Sequence, residues 1–343
     1  MENTLMKDLA DFTANFPFVE ELKGKTVVVT GATGLLGSVT VKCLLALNEK
    51  YDLGLSVVAI VRNIGKALEV LGPETKTLTL QMFDYASECQ FDTCNADYLI
   101  HYASPTSSKY FIERPVETMN ISYEGTKSVL EYTRFNKLTS MVFASSLEVY
   151  GVVTDDEKPL TEDMQGYINP SDIRSSYPMA KRAAECLCSS YASEYGVPVK
   201  IARFAQTFGA GVAPEDTRVF AHFARCIINN QNIELNTKGE LCRCYCYTMD
   251  AVMGMFYVLF RGKDGEAYNV ANASTYISIA DMAKKLCEDF NPSLKPVFNL
   301  KQGMGFSPVT HLRMSTEKIE ALGWKPQYDL KKMFERLIES LKG

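Results

Sequence analysis

Residues 27–37 read VVVTGATGLLG, and this run decides the fold. Residues 25–29 are rich in β-branched side chains and apolar on both faces, which predicts a strand buried inside a parallel sheet. A glycine turn follows, and residues 38–47 have the pattern of a helix. Such a turn lets the backbone approach a pyrophosphate, whose charge the N–H groups and dipole of the helix end favour. We therefore predict a dinucleotide site, with a ligand-free turn as the alternative, at Gly31, Thr33, Gly34, Leu35, Leu36 and Gly37.

The composition of the 343 residues is ordinary for a globular protein, with 46% hydrophobic and 22% charged residues. The net charge of −5 comes without a basic block, which argues against nucleic acid as a partner. No apolar run is long enough for a membrane span and the N-terminus lacks a signal-peptide pattern, so we expect no membrane partner and a cytoplasmic location.

The ten cysteines include no C-x-x-C pair, and the chain has only three histidines, so we predict no metal site. Cys242, Cys244 and Cys246 alternate with other residues, which places them on one face of a predicted strand. Filling the core is the interpretation favoured for these thiols over metal binding.

Strands and helices alternate through the first two thirds of the chain. Further strands are predicted at residues 56–61, 77–83, 96–101, 140–144 and 199–204. This alternation predicts an α/β fold, a Rossmann doubly wound parallel sheet with a smaller α/β C-terminal substrate domain. The predicted divisions are a helical lead-in at 1–23, the cofactor-binding domain at 24–208, and a substrate domain at 209–343 that is partly interleaved with the Rossmann core.

The second predicted strand ends at Arg62, a position that bears on the choice of cofactor. NAD-binding folds usually offer an acid to the adenine ribose near this point, whereas an arginine suits the 2′-phosphate of NADP. NADP(H) is therefore favoured, NAD(H) remains possible, and a surface role for Arg62 is the alternative. Since ligands collect at the carboxyl ends of parallel strands, further cofactor contacts are predicted at Asn63, Asp84, Tyr102, Ala103, Ser104, Ala144 and Phe204.

Three residues downstream carry a recognisable chemistry. Ser146 follows the fifth predicted strand, and Tyr177 and Lys181 lie four residues apart on one helix face. Hydride transfer at a carbon that bears oxygen needs a proton donor or acceptor at that oxygen. A nearby ammonium, helped by the positive charge of the nicotinamide, is expected to lower the pKa of a tyrosine from about 10 by roughly 1–3 units. We predict that Ser146 holds the substrate oxygen and Tyr177 moves its proton, with an exposed helix pair as the alternative.

Five motifs in order, TGATGLLG, HYASP, SSLEVYG, YPMAK and RFAQTFG, resemble the extended short-chain dehydrogenase/reductases. Within that family the chain is most similar to the nucleotide-sugar epimerases, dehydratases and decarboxylases, above all the UDP-glucuronate decarboxylases. The resemblance implies a nucleotide-sugar substrate, a homodimer, and a catalytic set of Ser146, Tyr177 and Lys181, the last two also contacting the cofactor. It further implies that Glu148 is an acidic neighbour in the catalytic set and that Asn120 is a helix asparagine that supports the site. Substrate contacts are implied for Gln206, Arg218 and Arg243, with surface charge pairing as the alternative for the two arginines.

Departures from that family narrow the reaction. Leu147 stands where the 4,6-dehydratases carry an acidic proton donor, and Leu147 and Gly211 replace residues typical of the decarboxylases. Together with Arg62, these positions favour NADPH-dependent reduction of a keto group on a nucleotide-linked sugar, for surface polysaccharide synthesis. The alternatives are a redox-neutral epimerase or UDP-glucuronate-decarboxylase-like enzyme with tightly bound NAD, and a cofactor-binding regulator without turnover.

Overall fold

The computed structural model describes residues 2–87, 90–300 and 309–342, so Cys89 lies outside the described residues. Its strands, numbered along the chain, are β1 (Thr26–Thr30), β2 (Ser56–Val61), β3 (Leu78–Met82), β4 (Tyr98–His101), β5 (Ser140–Ser146), β6 (Val199–Phe204), β7 (Gln206–Phe208), β8 (Ile233–Leu235), β9 (Cys242–Tyr247), β10 (Ala267–Val270), β11 (Asn272–Ser278), β12 (Pro296–Phe298) and β13 (His311–Leu312). Seven of these strands form one sheet in the order β10-β6-β5-β4-β1-β2-β3, and each pairing in it is parallel.

The helices of the described chain connect these strands. They are α1 (Glu2–Ala14), α2 (Leu35–Tyr51), α3 (Ile64–Leu71), α4 (Ser108–Glu113), α5 (Pro115–Asn136), α6 (Ser176–Tyr195), α7 (Val219–Ile228), α8 (Thr248–Arg261), α9 (Ile279–Phe290), α10 (Glu317–Glu320) and α11 (Leu330–Lys342). Short 3-10 turns lie at Glu20–Leu22, Leu147–Tyr150 and Ile173–Ser175.

Strand β1 is buried on both faces, as its β-branched sequence predicts. Val27 and Val29 pack into one core together with Val39 of α2, whereas Val28 packs into a second core with Val129 of α5. Helices therefore cover both faces of the parallel sheet, which is the doubly wound arrangement. The predicted fold class is confirmed.

The strand order reverses between β1 and β4, because β1 continues to β2 and β3 on one side while the later strands build outward from β4. In open parallel sheets this reversal leaves a crevice at the carboxyl ends of the two strands, where ligands bind. The glycine turn after β1 and the segment after β4 both lie at this point.

Two elements differ from the predictions for identifiable reasons. Helix α2 begins at Leu35 rather than residue 38, because Gly34 takes an extended conformation as its N-cap and the next residues are already helical. The edge strand β10 was not predicted, because its four residues are too few to show a clear hydrophobic period. It pairs with β6, so the C-terminal half of the chain contributes to the large sheet.

The smaller sheets lie in the C-terminal part of the chain. Strand β9 pairs with β11, β13 and β7, and β8 pairs with β12. The predicted helical lead-in forms α1, which packs against α2 and α11 through side chains that include Leu9 and Phe12. Within the described ranges no helix is long and apolar enough to cross a membrane.

The cysteine-rich strand is part of the core, as predicted. Cys244 and Cys246 of β9 are buried, and burial raises the pKa of each thiol, to about 11 for Cys244. Across the described part of the chain, no three His, Cys, Asp or Glu side chains converge in a group that could hold a metal ion.

Candidate active site

The glycine turn is a cradle in which side chains have no room. Gly31 has a φ of +65°, and a Cβ there would lie 2.8 Å from the backbone nitrogen of Ala103. A Cβ on Gly37 would lie 2.9 Å from the carbonyl carbon of Gly31. The turn is closed by hydrogen bonds from Gly34 N to Gly31 O (3.0 Å) and from Ser38 N to Gly34 O (2.8 Å). Backbone N–H groups at a helix start, with no Cβ in the way, fit the pyrophosphate of a dinucleotide.

The remaining predicted residues of this turn begin the helix. Thr33 lies in the turn, and Leu35 and Leu36 open the first turn of α2, each partly exposed. Their backbone N–H groups belong to the first turn, where an α-helix has no carbonyl partners of its own.

The segment after β4 is fixed against this turn. The Ala103 N–H donates to Thr30 Oγ1 (3.2 Å), and the Tyr102 hydroxyl lies 3.2 Å from Thr40 Oγ1 of α2. Ser104 Oγ lies 3.2 Å from Ser122 Oγ of α5. The structure therefore brings Tyr102, Ala103 and Ser104 beside the glycine turn.

The residues predicted around the adenine end have different surroundings. Arg62 is exposed at the carboxyl end of β2. The Asn63 side chain accepts a hydrogen bond from Lys66 N (2.9 Å) and caps α3, so its oxygen serves the helix in this structure. Asp84 Oδ1 accepts from Ala86 N (3.0 Å) in a local turn.

Ala144 and Phe204 lie near the carboxyl ends of β5 and β6 and are buried. The carbonyl oxygen of Ala144 accepts a hydrogen bond from Lys181 Nζ (2.8 Å), and the Phe204 ring lies 6.1 Å from the Tyr102 ring. These two residues form the floor of the crevice.

The structure brings Ser146, Tyr177 and Lys181 together. The Ser146 hydroxyl lies close enough to the Tyr177 phenol to lower its pKa, and Ser146 Oγ accepts a hydrogen bond from Glu148 N (3.2 Å). Lys181 Nζ lies 5.9 Å from the centre of the Tyr177 ring and 4.6 Å from that of Phe143. Helix α6 supplies the tyrosine and the lysine one turn apart, and the end of β5 supplies the serine. The three residues predicted to be catalytic therefore stand at the carboxyl edge of the sheet.

The expected direction of the Tyr177 pKa shift is wrong for the protein by itself. Burial raises the pKa of the Tyr177 phenol well above its usual 10.0, and the Glu148 carboxylate raises it further, while Ser146 and Arg174 lower it. Burial also lowers the pKa of Lys181 to about 7. The expectation counted the positive charges of the ammonium and of a bound nicotinamide, and it left out the desolvation of both side chains.

Two side chains that the sequence analysis missed enclose Tyr177. The Phe111 ring of α4 stacks on the Tyr177 ring, with centroids 4.3 Å apart and an interplanar angle of 6°. The Arg174 guanidinium lies 5.0 Å from the centre of the Phe111 ring, and its Nη2 donates to both oxygens of Glu148 (3.1 and 3.0 Å). Glu148 is thus part of a charge pair beside the phenol. No pattern pointed to Phe111; for Arg174 the signal was a basic residue three positions before Tyr177.

Asn120 does not have the position that its predicted role requires. Its side chain is exposed on α5, whereas Ser122, two residues later, is buried and faces Ser104. Residues two apart on a helix point in nearly opposite directions. Asn120 therefore lies on the opposite side of α5 from the contact between Ser122 and Ser104.

The three predicted substrate contacts differ in their surroundings. Gln206 and Arg243 lie on the paired strands β7 and β9. Gln206 is in register with Tyr245, which places it on the same face as Arg243. Arg243 Nε is buried and has no hydrogen-bond partner in the described chain. Arg218 instead donates to both oxygens of Asp216, through Nε (3.1 and 3.0 Å), and is committed to that pair.

Comparison with known proteins gives the family. A model of the NAD dependent epimerase/dehydratase family matches residues 27–271. UDP-glucuronic acid decarboxylase 5 of Arabidopsis thaliana is 28% identical over 235 residues, which cover 68% of this chain and 67% of that protein.

Solved structures agree in fold. An epimerase from Methanothermobacter thermautotrophicus has a TM-score of 0.79 at 22% identity, with 96% of each chain covered. UDP-glucuronic acid 4-epimerase from Bacillus cereus, solved with UDP-glucuronic acid and NAD, has a TM-score of 0.74 at 20% identity, with 92% of this chain and 99% of that chain covered. The family model spans well over half of the chain, and the predicted motifs lie within it or at its edges. The protein is therefore an enzyme of the NAD dependent epimerase/dehydratase family, within the extended short-chain dehydrogenase/reductases.

Proposed function

We propose that this enzyme transfers a hydride between a nicotinamide dinucleotide and a carbon of a nucleotide-activated sugar. The observation that supports the proposal is that Ser146, Tyr177 and Lys181 lie close together, at the same carboxyl edge of the sheet as the glycine turn. A regulator without turnover would have no use for a buried lysine next to a buried phenol, because burying each group costs free energy.

The residues of the chain supply the proton chemistry. When bound, the nicotinamide ring gives or takes the hydride. Ser146 Oγ donates a hydrogen bond to the sugar oxygen and holds it in line with Tyr177. In reduction the Tyr177 hydroxyl gives its proton to that oxygen, and in oxidation it takes one. Lys181 Nζ, fixed by its bond to the Ala144 carbonyl, places a titratable amine below the phenol ring.

The substrate's diphosphate is expected on the face of β9. Arg243 brings a buried Nε without an acceptor, and an arginine can bind two phosphate oxygens at once. Gln206 shares that face and offers an amide to the sugar or nucleotide. Arg218 is a weaker candidate because its Nε already donates to both carboxylate oxygens of Asp216.

We favour net reduction of a keto sugar by NADPH as the overall reaction. Its support is Arg62, which stands exposed at the end of β2 where a 2′-phosphate would lie, and no carboxylate takes that place. Leu147 has a hydrocarbon side chain, buried at 4% exposure, so this position supplies no proton donor for the loss of water. The second candidate is a redox-neutral reaction with retained NAD, favoured by the likeness to a UDP-glucuronic acid decarboxylase.

One experiment separates these candidates. The protein is denatured, the released dinucleotide is identified, and the native protein is tested for NADPH oxidation with CDP-, UDP-, GDP- and dTDP-linked keto sugars. Net reduction predicts NADPH consumption that the Tyr177→Phe variant loses, with little NAD released. Stoichiometric NAD and no consumption would favour the redox-neutral candidate. Turnover that is unchanged in Tyr177→Phe would overturn the catalytic assignment.

We also propose a cytoplasmic homodimer that serves surface polysaccharide synthesis. Exposed apolar side chains on α5, Val116 and Met119, support a contact between two copies. Light scattering on the purified protein measures the oligomeric state, and a monomer at micromolar concentration would contradict the dimer.

A further inference from the structure

His101, the last residue of β4, lies between the glycine turn and helix α5 and is buried, with 1% exposure. Both of its ring nitrogens face hydroxyl groups. Nδ1 lies 2.7 Å from Thr30 Oγ1, and Nε2 lies 3.3 Å from Thr126 Oγ1. A buried imidazole with two hydroxyl partners can be assigned a tautomer if the direction of each hydroxyl proton is known.

The partners fix that direction. The Thr126 hydroxyl has a single proton, which it donates to the carbonyl oxygen of Ser122 (2.6 Å). Its oxygen must therefore accept a hydrogen bond from His101, so Nε2 carries the proton. A neutral imidazole has only one N–H, so Nδ1 accepts, and the Thr30 hydroxyl is its donor.

Thr30 Oγ1 also accepts a hydrogen bond. The backbone N–H of Ala103 donates to this oxygen at 3.2 Å. The result is one unbroken chain of hydrogen bonds that begins at Ala103, passes through Thr30, His101 and Thr126, and ends at Ser122 O. Each member donates once toward the next, and no donor in the chain is left without an acceptor.

Charge favours the same state. Burial and, to a smaller extent, the nearby Lys181 ammonium lower the pKa of His101 to about 3. A protonated imidazole would also donate from Nδ1, which would force the Thr30 hydroxyl to find another acceptor.

We propose that His101, as the neutral Nε2–H tautomer, is a positioning residue that sets the spacing between the glycine turn and the segment after β4. Thr30 directly precedes Gly31, and Ala103 is the residue whose backbone nitrogen lies closest to the place of a Gly31 Cβ. The chain thus holds both walls of the dinucleotide cradle to α5. The proposal concerns the dinucleotide site and does not depend on the nucleotide sugar or on the direction of the reaction.

The tautomer can be read directly. The protein has three histidines, His101, His222 and His311, so its ¹⁵N-labelled imidazole resonances can be assigned with single substitutions. We expect His101 to show a protonated Nε2, a bare Nδ1, and no titration between pH 5 and 8. A protonated Nδ1, or titration of His101 in this range, would overturn the proposal.

A matched pair of variants tests the positioning role. Thr126→Val removes the hydroxyl at the far end of the hydrogen-bond chain, and Thr126→Ser keeps it. Thr126 is not among the predicted cofactor contacts. We expect the Kd for NAD⁺, titrated into dinucleotide-free protein, to rise about tenfold in Thr126→Val and to stay unchanged in Thr126→Ser. Wild-type affinity together with a wild-type His101 spectrum in Thr126→Val would contradict the proposal. If Thr126→Val does not fold, the spectrum of the wild-type protein still decides it.

Discussion

Replacing Gly31 by alanine tests whether the two walls of the dinucleotide cradle must touch. Gly31 has a φ of +65°, and the added Cβ would lie 2.8 Å from Ala103 N and 3.0 Å from its Cα. Both contacts are with backbone, so no side chain can rotate away. The left-handed conformation costs about 1–2 kcal/mol for a residue with a Cβ. The overpacking costs roughly another 1–3 kcal/mol.

Gly24 provides the matched control, because its φ is +67° and a Cβ there meets nothing within 4 Å. We expect Gly24→Ala to lose only the conformational part, about 1–2 kcal/mol of unfolding free energy, with unchanged cofactor affinity. Gly31→Ala is expected to lose more stability and to bind NAD⁺ roughly 5- to 150-fold more weakly, the equivalent of 1–3 kcal/mol. Urea unfolding and calorimetric titration measure the two quantities. Equal behaviour of the two variants in both assays would refute the reasoning.

Three further predictions concern the cofactor and the titratable groups. Arg62→Asp should weaken NADP⁺ binding about tenfold or more while NAD⁺ binding is kept or improved, and calorimetry that shows equal losses for both would count against a 2′-phosphate contact. Glu148→Gln removes a carboxylate that raises the pKa of Tyr177, so the rise of kcat/KM with pH in the oxidative direction should move to lower pH; an unmoved profile would exclude this coupling. Burial lowers the pKa of Lys181 to about 7, against 10.5 in the unfolded chain, so between these pH values the unfolded chain binds more protons than the folded one. The free energy of unfolding should therefore rise with pH by up to about 1.4 kcal/mol per pH unit relative to the Lys181→Met variant. Parallel pH profiles of the two proteins would contradict this coupling.

The part of the fold that follows local rules was predictable. The period of the hydrophobic residues and the glycine spacing predicted β1, the turn and α2, and β2 and β6 were predicted at the residues where they occur. Strand β10 was not, because its four residues become a strand only through pairing with β6, far away in the sequence. Pairing between distant segments leaves no local period.

The site shows the same limit. Ser146, Tyr177 and Lys181 were predictable because strand end and helix spacing place them together. Asn120 is exposed on α5, whereas Ser122, two residues later and on the other side of the helix, takes the inward position. Arg174 reaches Glu148 from a 3-10 turn of three residues, which is too short to leave a period in the sequence. Burial, the largest cause of the raised pKa of Tyr177, is a property of the folded chain.

The central claim is that a hydride passes between the nicotinamide and a sugar carbon with Tyr177 moving the proton. Its most direct test is transfer of deuterium from NADPH labelled at nicotinamide C4, followed by mass spectrometry of CDP-, UDP-, GDP- and dTDP-linked keto sugars. We expect one nucleotide sugar to gain a single deuterium with the wild-type enzyme, at a rate at least about 100-fold lower in Tyr177→Phe. No labelled sugar from any of the four nucleotide classes would contradict net reduction by NADPH, and equal labelling by Tyr177→Phe would contradict the role of Tyr177 in the hydride transfer.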